Sequence, residues 1–329
     1  MKKKNIYILS VSIAAVLLIF SCDNIDPPYL QDTSGPVNID SLTHVQDSLC
    51  TFGSTTPVTY RKILVEDYTG HLCGNCPYAA NALYGPGGLK VLYGDTIISI
   101  GVHASPLNQF TETCPPAAYP QGASSPAYAE DFRTPAGETW LVDFGVLSNP
   151  KGIVSRKPYL GNTVLNFSAW GAAVQAIKNA TPNADVGIQI LNTYDSASNN
   201  VSTCVKTTFL HALSGTYKLS VLLTEDSIKA WQENYAIPNN PPLYHNDTAY
   251  IHHHVLRGAV NTPYGVQIKT GNIAANDTVR NTYNVNLSSL PSAMNTTNPV
   301  LNANRCYIIA FVFDATTKEV LQVEEAKVK

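Results

Sequence analysis

The sequence predicts an α/β domain followed by an all-β domain, and three observations carry that prediction. Strand-like and helix-like segments interleave from Tyr60 to Pro182. Beyond Pro182 the chain turns to alternating or continuously apolar runs separated by turn residues. A CxxC pair, Cys73-Gly74-Asn75-Cys76, falls where the first strand-like run passes into the first helix-like one. The 329 residues are enough for two cores.

The N-terminus is read first. Lys2-Lys3-Lys4 form a positive region, and a mostly apolar run follows from Ile6 to Phe20, broken by Tyr7, Ser10 and Ser12. A spanning helix needs about 20 predominantly apolar residues, so residues 1–21 read as a removable signal. "LLIFSCD" is similar to a lipoprotein processing site, with Ser21 as the small residue before the cleavage and Cys22 as the acylated one. Several acyl chains on one cysteine anchor a protein stably. Residues 22–59 are rich in Asp, Pro, Ser and Thr and read as a tether.

From Tyr60 the texture changes. "YRKILVEDYT" predicts a strand. "CGNCPYAANALYG" predicts a helix, stopped by Gly85-Pro86. "DTIISIGVHAS" predicts a second strand, with the continuous apolar run of a sheet covered on both faces. A long Pro-rich loop follows, then a partly helical segment from Ala127 to Trp140 that Pro135 and Gly137 are expected to break. "FGVLSNPKGIVSRK" reads as strand, turn, strand. "NFSAWGAAVQAIKNATP" reads as a helix, because Trp170, Val174 and Ile177 recur at helical spacing. A CxxC at a strand-to-helix junction within this order predicts a thioredoxin-like domain over residues 60–182.

Residues 183–329 predict an antiparallel β-sandwich. Its strands are "DVGIQILNTYD", "VSTCVKTTFLHA", "TYKLSVLLTED", "AYIHHHVLRGAV", "TVRNTYNVNLS" and the C-terminal run from Cys306. Only "EDSIKAWQENYAI" is expected to be helical. No internal repeat, nucleotide-binding glycine loop or serine-nucleophile elbow is present. The formal net charge of -3, without a basic stripe, excludes nucleic acid as a partner. Charged residues are 14% of the chain, against roughly a quarter in soluble proteins. Asn, Thr and Ser supply much of the polarity instead, as in exported proteins.

The CxxC spacing fits thiol–disulfide exchange. A thiol attacks as its thiolate, and a helix N-terminus at Cys73 would lower its pKa. Cys76, three residues on, is placed to close on Cys73 and expel a bound partner. Pro77 is tolerated in a first turn. A proton acceptor for the resolving thiol is expected on the preceding strand, where Glu66 and Asp67 point to opposite faces; Glu66 is the preferred candidate. His71 is either a source of positive charge or an exposed loop residue. No cofactor is implied. Zinc needs about four ligands, and no second CxxC exists. A c-type haem needs histidine where Pro77 stands. A purely structural bridge remains open, although a CxxC closes too small a loop to stabilise much. His252 and His254 share a strand face and, with His245 or Asp247, offer metal ligands; packing at a strand flank is the plainer reading.

The chain has seven cysteines. Setting Cys22 aside leaves an even number, which permits disulfides in an oxidising compartment. Cys204 with Cys306 is the expected long-range pair, because both lie in strand-like runs.

"VEDYTGHLCGNCP", "NPKGIVSRK", "HHHVLRGAV" and "IIAFVFDATTKEVLQVEEAKV" together resemble a family of Gram-negative outer-membrane lipoproteins named after a twenty-eight-kilodalton outer-membrane protein. The resemblance implies a thioredoxin-like domain, then a β-sandwich, on a lipid anchor at the outer membrane, with the leaflet open. Thioredoxin-like domains also place a cis-proline beside the CxxC, and Pro150 after Asn149 is the matching position. By that resemblance Asn149 pairs with a bound peptide and Pro150 packs on the disulfide. Two departures stand against it. No tryptophan precedes Cys73, and the segment between the CxxC and Pro150 is enlarged. Two functions follow as expectations. One is a membrane-anchored thiol–disulfide oxidoreductase acting on exported proteins or peptides. The other is a surface binding or scaffold lipoprotein whose CxxC is structural.

Overall fold

The computed structural model describes residues 50–53, 55–114, 118–124, 126–288 and 301–329, all within one compact unit, Gln46–Lys329. The expected signal and Cys22 lie outside the described residues, as does most of the tether. The architecture is mixed α/β and predominantly β. Among the described residues no helix is long and apolar enough to cross a membrane.

Among the described residues the α-helices are α1 (Cys76–Tyr84), α2 (Leu89–Tyr93), α3 (Pro135–Asp143) and α4 (Phe167–Ala180). The first strands are β1 (Ile63–Thr69), β2 (Ile97–His103), β3 (Lys151–Val154) and β4 (Val164–Leu165). They continue as β5 (Val186–Asp195), β6 (Asn200–Phe209), β7 (Leu213–Glu225), β8 (Ile228–Glu233) and β9 (Asn246–His252). The last are β10 (Val255–Ala259), β11 (Val266–Ile273), β12 (Thr278–Asn286), β13 (Cys306–Asp314) and β14 (Val320–Lys327).

One large sheet runs β14-β13-β7-β10-β2-β1-β3-β4, with β11 also paired to β7. Strands from both sides of residue 182 therefore share it. They meet where β10 lies parallel to β2 through Val255 and Gly101. The linking residues return to the start of β1: Arg61 N donates to Pro182 O (3.0 Å) and Ala184 N to Thr59 O (2.8 Å).

Period-2 alternation decides which core each side chain joins. On one face Leu64, Tyr68, Ile98, Ile100, Leu222, Phe311 and Phe313 pack with Trp140 of α3. On the opposite face Ile63, Val65 and Ile97 meet Ala79 and Leu83 of α1 and Trp170 and Val174 of α4. Further along that face, Leu219, Val221, Leu223, Ile308 and Val312 pack against Val186, Val205 and Phe209. The last three belong to a separate three-stranded sheet, β12-β6-β5. Burial on both faces explains why β2 reads as a continuous apolar run.

Several local expectations change. "EDSIKAWQENYAI" forms β8 and a loop, not a helix; Ile228, Ala230 and Gln232 are buried in alternation and β8 pairs antiparallel with β9. Pro135 opens α3 instead of breaking it, because its missing N–H falls in the first turn and Thr134 Oγ1 accepts from Gly137 N at 3.1 Å. "FGVLSNPKGIVSRK" holds one strand, β3, and Phe144 caps α3. "AYIHHHVLRGAV" is two strands, parted at His253-His254, where His254 takes φ 42. The Cys204–Cys306 pairing is replaced by Cys50–Cys204. Cys204 lies on β6 in the small sheet, whereas Cys306 opens β13 opposite Glu225 of β7. Cys306 is a buried free thiol, which burial pushes up to about 12.

Candidate functional site

β1 delivers the chain to the CxxC. After Thr69 two tight turns follow, with Cys73 N donating to Gly70 O (3.1 Å) and Cys76 N to Cys73 O (3.0 Å). Cys73 and Cys76 form a disulfide with Cα atoms 5.4 Å apart. Asn75 is the N-cap, so Cys76 opens α1 and Cys73 sits in the turn ahead of it. Gly70 is required here, because a Cβ would lie 2.3 Å from Phe110 O. Leu72 N donates to that same carbonyl at 3.0 Å.

The segment after β8 lies over this loop. Glu233 N donates to His71 O (2.7 Å) and Tyr235 N to Gly74 O (2.8 Å). The Gln232 side chain donates to Gly70 O and Cys73 O, at 3.2 and 3.1 Å. Tyr78 Oη donates to Tyr235 O at 3.0 Å. A Cβ on Gly74 would fall 2.4 Å from the Tyr235 ring. Both cysteines are 2% exposed. Nothing in the sequence near the CxxC announces this strap, since its residues arrive from 159 to 162 positions away.

The two carboxylates of β1 part company. Glu66 faces α3 and is bound by Arg156, whose Nη2 reaches Oε1 at 2.6 Å and whose Nε reaches Oε2 at 3.0 Å. The guanidinium lies about 5 Å from the Trp140, Phe144 and Phe311 rings. Glu66 is therefore turned away from α1, on the face opposite the one that carries it. Asp67 shares its face with Ile63 and Val65 and hence with α1. It is 5% exposed, its Oδ1 has no hydrogen-bond partner, and burial pushes its carboxyl up to about 8.

Asp67 borders a cavity of about 30 Å³, together with Ala80 and Leu83 of α1, His103 and His252. Cys76, Ala80 and Leu83 stand at i, i+4 and i+7, one stripe of the helix. Cys76 thus lies one turn along from the wall of the Asp67 cavity. Directly across from Asp67 on β3 is Gly152. A Cβ there would meet the Trp170 ring at 2.3 Å. Trp170 Nε1 is likewise buried without a partner.

His71 supplies no positive charge and is not exposed. It is 1% accessible, its Nε2 donates to Glu112 O at 2.9 Å, and burial pulls it down to about 4. His252 is held near 3 and His103 well below the usual value, again by burial. Their rings sit 5.3 Å apart. Among the described residues no group of three or more His, Cys, Asp or Glu side chains is arranged to hold a metal ion. His245 contacts Tyr235, with its Nδ1 donating to Ile237 O at 3.2 Å.

Pro150 lies at the sheet end where β1 gives way to the CxxC loop. The next residue, Lys151, pairs with Tyr68. The Asn149–Pro150 peptide is cis. Asn149 Nδ2 donates to Ala104 O at 2.9 Å, and its Oδ1 is buried without a partner.

A family model described as outer membrane protein Omp28 matches residues 138–329. No curated protein matches the chain. Among solved structures, HBP35 of Porphyromonas gingivalis is similar with a TM-score of 0.55 at 13% identity, over 83% of this chain and 77% of that one. A domain of the outer membrane lipoprotein Omp28 from Porphyromonas gingivalis gives a TM-score of 0.29 at 20% identity, over 44% of this chain and 89% of that one. The first of these shows a shared fold.

Proposed function

This chain belongs to the Omp28 outer membrane protein family, and from that premise we propose a lipid-anchored thiol–disulfide oxidoreductase or isomerase acting on exported proteins or peptides. Acylated Cys22 is the anchor, and a thioredoxin-like arrangement around Cys73–Cys76 is the working part. One observation carries the reading: the Cys73–Cys76 disulfide stands ahead of α1, while an unpaired carboxyl, Asp67, is buried beneath that same helix. A structural bridge has no use for an orphaned carboxyl, which costs stability.

In the reduced form the Cys73 thiolate attacks one sulfur of a substrate disulfide. That S–S bond breaks, a mixed disulfide forms, and the substrate's other sulfur leaves as a thiolate. Cys76 gives its proton to the Asp67 carboxylate and attacks Cys73. The second substrate thiolate leaves, and two electrons have passed from the protein dithiol to the substrate. The role expected of Glu66 passes to Asp67 in this scheme. Asn149 offers its backbone to an extended peptide, and Pro150 packs beside the reacting sulfurs.

The reduction potential of the Cys73–Cys76 couple, with insulin reduction by the purified chain, tests the reading. A potential above about -300 mV and turnover abolished by Cys73→Ser are expected. A lower potential with no Cys73-dependent turnover would leave the second reading, a binding or scaffold lipoprotein with a structural bridge. That alternative draws on one observation, the strap from Gln232 to Tyr235 over the CxxC loop.

A further inference from the structure

We propose that the β8–β9 hairpin and the turn after it supply the proton exit of the buried site: Asp67 exchanges its proton with solvent through the cavity behind α1, and His253 is the relay at its mouth. The purpose of such an exit rests on the redox reading above; its test does not.

The cavity of about 30 Å³ beside Asp67 has room for a water molecule. Its walls include Tyr84, Tyr250 and His253, and the same three residues line an open groove of about 510 Å³ along the outer side of α1. They form the partition between the buried carboxyl and solvent. Of the three, Tyr250 and His253 come from β9 and the turn beyond it.

The titratable residues that line the cavity with Asp67 are Tyr84, His103, Tyr250, His252 and His253. Burial holds His103 and His252 neutral and raises both tyrosines. Tyr84 Oη is bonded to Ser99 Oγ at 2.6 Å. The cavity lining contains no lysine or arginine to keep Asp67 ionised. A proton taken up from Cys76 therefore has to leave by transfer.

His253 has the geometry for that transfer. Its side chain is 32% exposed, and its Nδ1 lies 3.0 Å from Asp226 Oδ1. Its ring sits 4.3 Å from that of Tyr84. With Nδ1–H donating to the Asp226 carboxylate, Nε2 is left as the acceptor. The proton moves from the Asp67 carboxyl through a cavity water to Nε2, and the imidazolium, held by Asp226, releases a proton to buffer. His254 follows, with its Nδ1 3.7 Å from Glu325 and its Nε2 4.0 Å from the same Asp226 oxygen.

The test uses the full chain in detergent, reduced chemically and reoxidised by glutathione disulfide between pH 6 and 8, with thiol loss followed by stopped flow. Burial leaves Asp67 mostly protonated between pH 6 and 8, so it sheds that proton through His253 before it takes the one on Cys76. His253→Ala is therefore expected to slow ring closure of the Cys73–Cys76 disulfide by about tenfold, and added imidazole to restore the rate. His253→Gln is expected to behave alike. In an Asp67→Asn background the His253 change is expected to cost nothing further, because both act on one proton. A merely damaged fold does not respond to imidazole. A parental rate in His253→Ala, a loss that imidazole leaves in place, or a full additional loss in the Asp67→Asn background would overturn the proposal. Glutathione drives the chemistry whether or not any protein substrate is turned over. Failure here is thus separate from failure of the insulin assay.

Discussion

The two faces of β1 make opposite use of the same chemical group. On the α3 face, Glu66 is fully buried and its charge is answered by Arg156, itself stacked among aromatic rings. On the α1 face, one residue along, Asp67 is buried with no cation and no hydrogen bond to Oδ1. Burying a charge is expensive unless it is paired. The first carboxylate is therefore committed to holding α3, β3 and β13 together. The second stays uncommitted and titrates within reach of neutral pH. Adjacent residues of one strand can serve architecture and chemistry because the pleat separates them.

The largest effect should come from the committed face. Arg156→Met leaves Glu66 buried and unanswered, and is expected to cost about 3–5 kcal/mol of stability in denaturant unfolding. Replacing both partners, Glu66→Leu with Arg156→Met, should recover much of that loss, since a well-packed apolar pair often equals a buried ion pair. A single-variant loss under about 1 kcal/mol, the size of a solvated pair, would erase the contrast between the faces.

Asp67→Asn should move stability the other way, by a few kcal/mol at pH 8. The Asp67 pKa rises on folding from 3.8 to about 8, so the native state holds a proton that the unfolded chain has lost. Its contribution is complete below about pH 4 and drains away as pH climbs through about 8. Asn lacks this dependence. The gain over the parent should be clear in urea melts at pH 8 and small at pH 5. An equal gain at both would mean that Asp67 is not a buried acid.

A smaller effect tests how tightly the α1 face is filled beside Asp67. Gly152→Ala places a Cβ 2.3 Å from the ring of fully buried Trp170. Overpacking of this kind costs about 1–3 kcal/mol, again read in denaturant melts. A neutral result would mean that α4 slides freely on the sheet.

Much of this site was legible in the sequence, and the illegible part has physical causes. The β-rich run of β1, the Pro77 in the first turn of α1 and the 3.6 period of Trp170, Val174 and Ile177 are local signals. Alternation also separates Glu66 from Asp67. It does not say which face carries α1, because each face of β1 presents apolar residues and one acid, and the structure puts Glu66 with Arg156 on the face away from α1. "EDSIKAWQENYAI" satisfies helical and strand periods over its short length, and only pairing with β9 decides between them. The Cys50–Cys204 bridge and the entry of β10 beside β2 are long-range events that no local pattern encodes.

The smallest change in stability should accompany the most informative change in access. Tyr235 covers Gly74 with its ring, yet the residue is 45% exposed and the pairing to Gly74 O uses the backbone N–H. Tyr235→Ala keeps that hydrogen bond and is expected to cost about 1 kcal/mol or less. It removes the bulk above the turn between the two cysteines. Reduction of Cys73–Cys76 by dithiothreitol, which needs little room, should change little. Reduction by a protein dithiol has to bring a whole surface against Gly74 and should accelerate severalfold. Equal acceleration by both reagents would place the obstacle elsewhere, in the Gln232 contacts to Gly70 and Cys73. No acceleration by the protein dithiol would mean that the strap already opens faster than the thiols exchange, and the chemical face of β1 would then be as accessible as its aspartate implies.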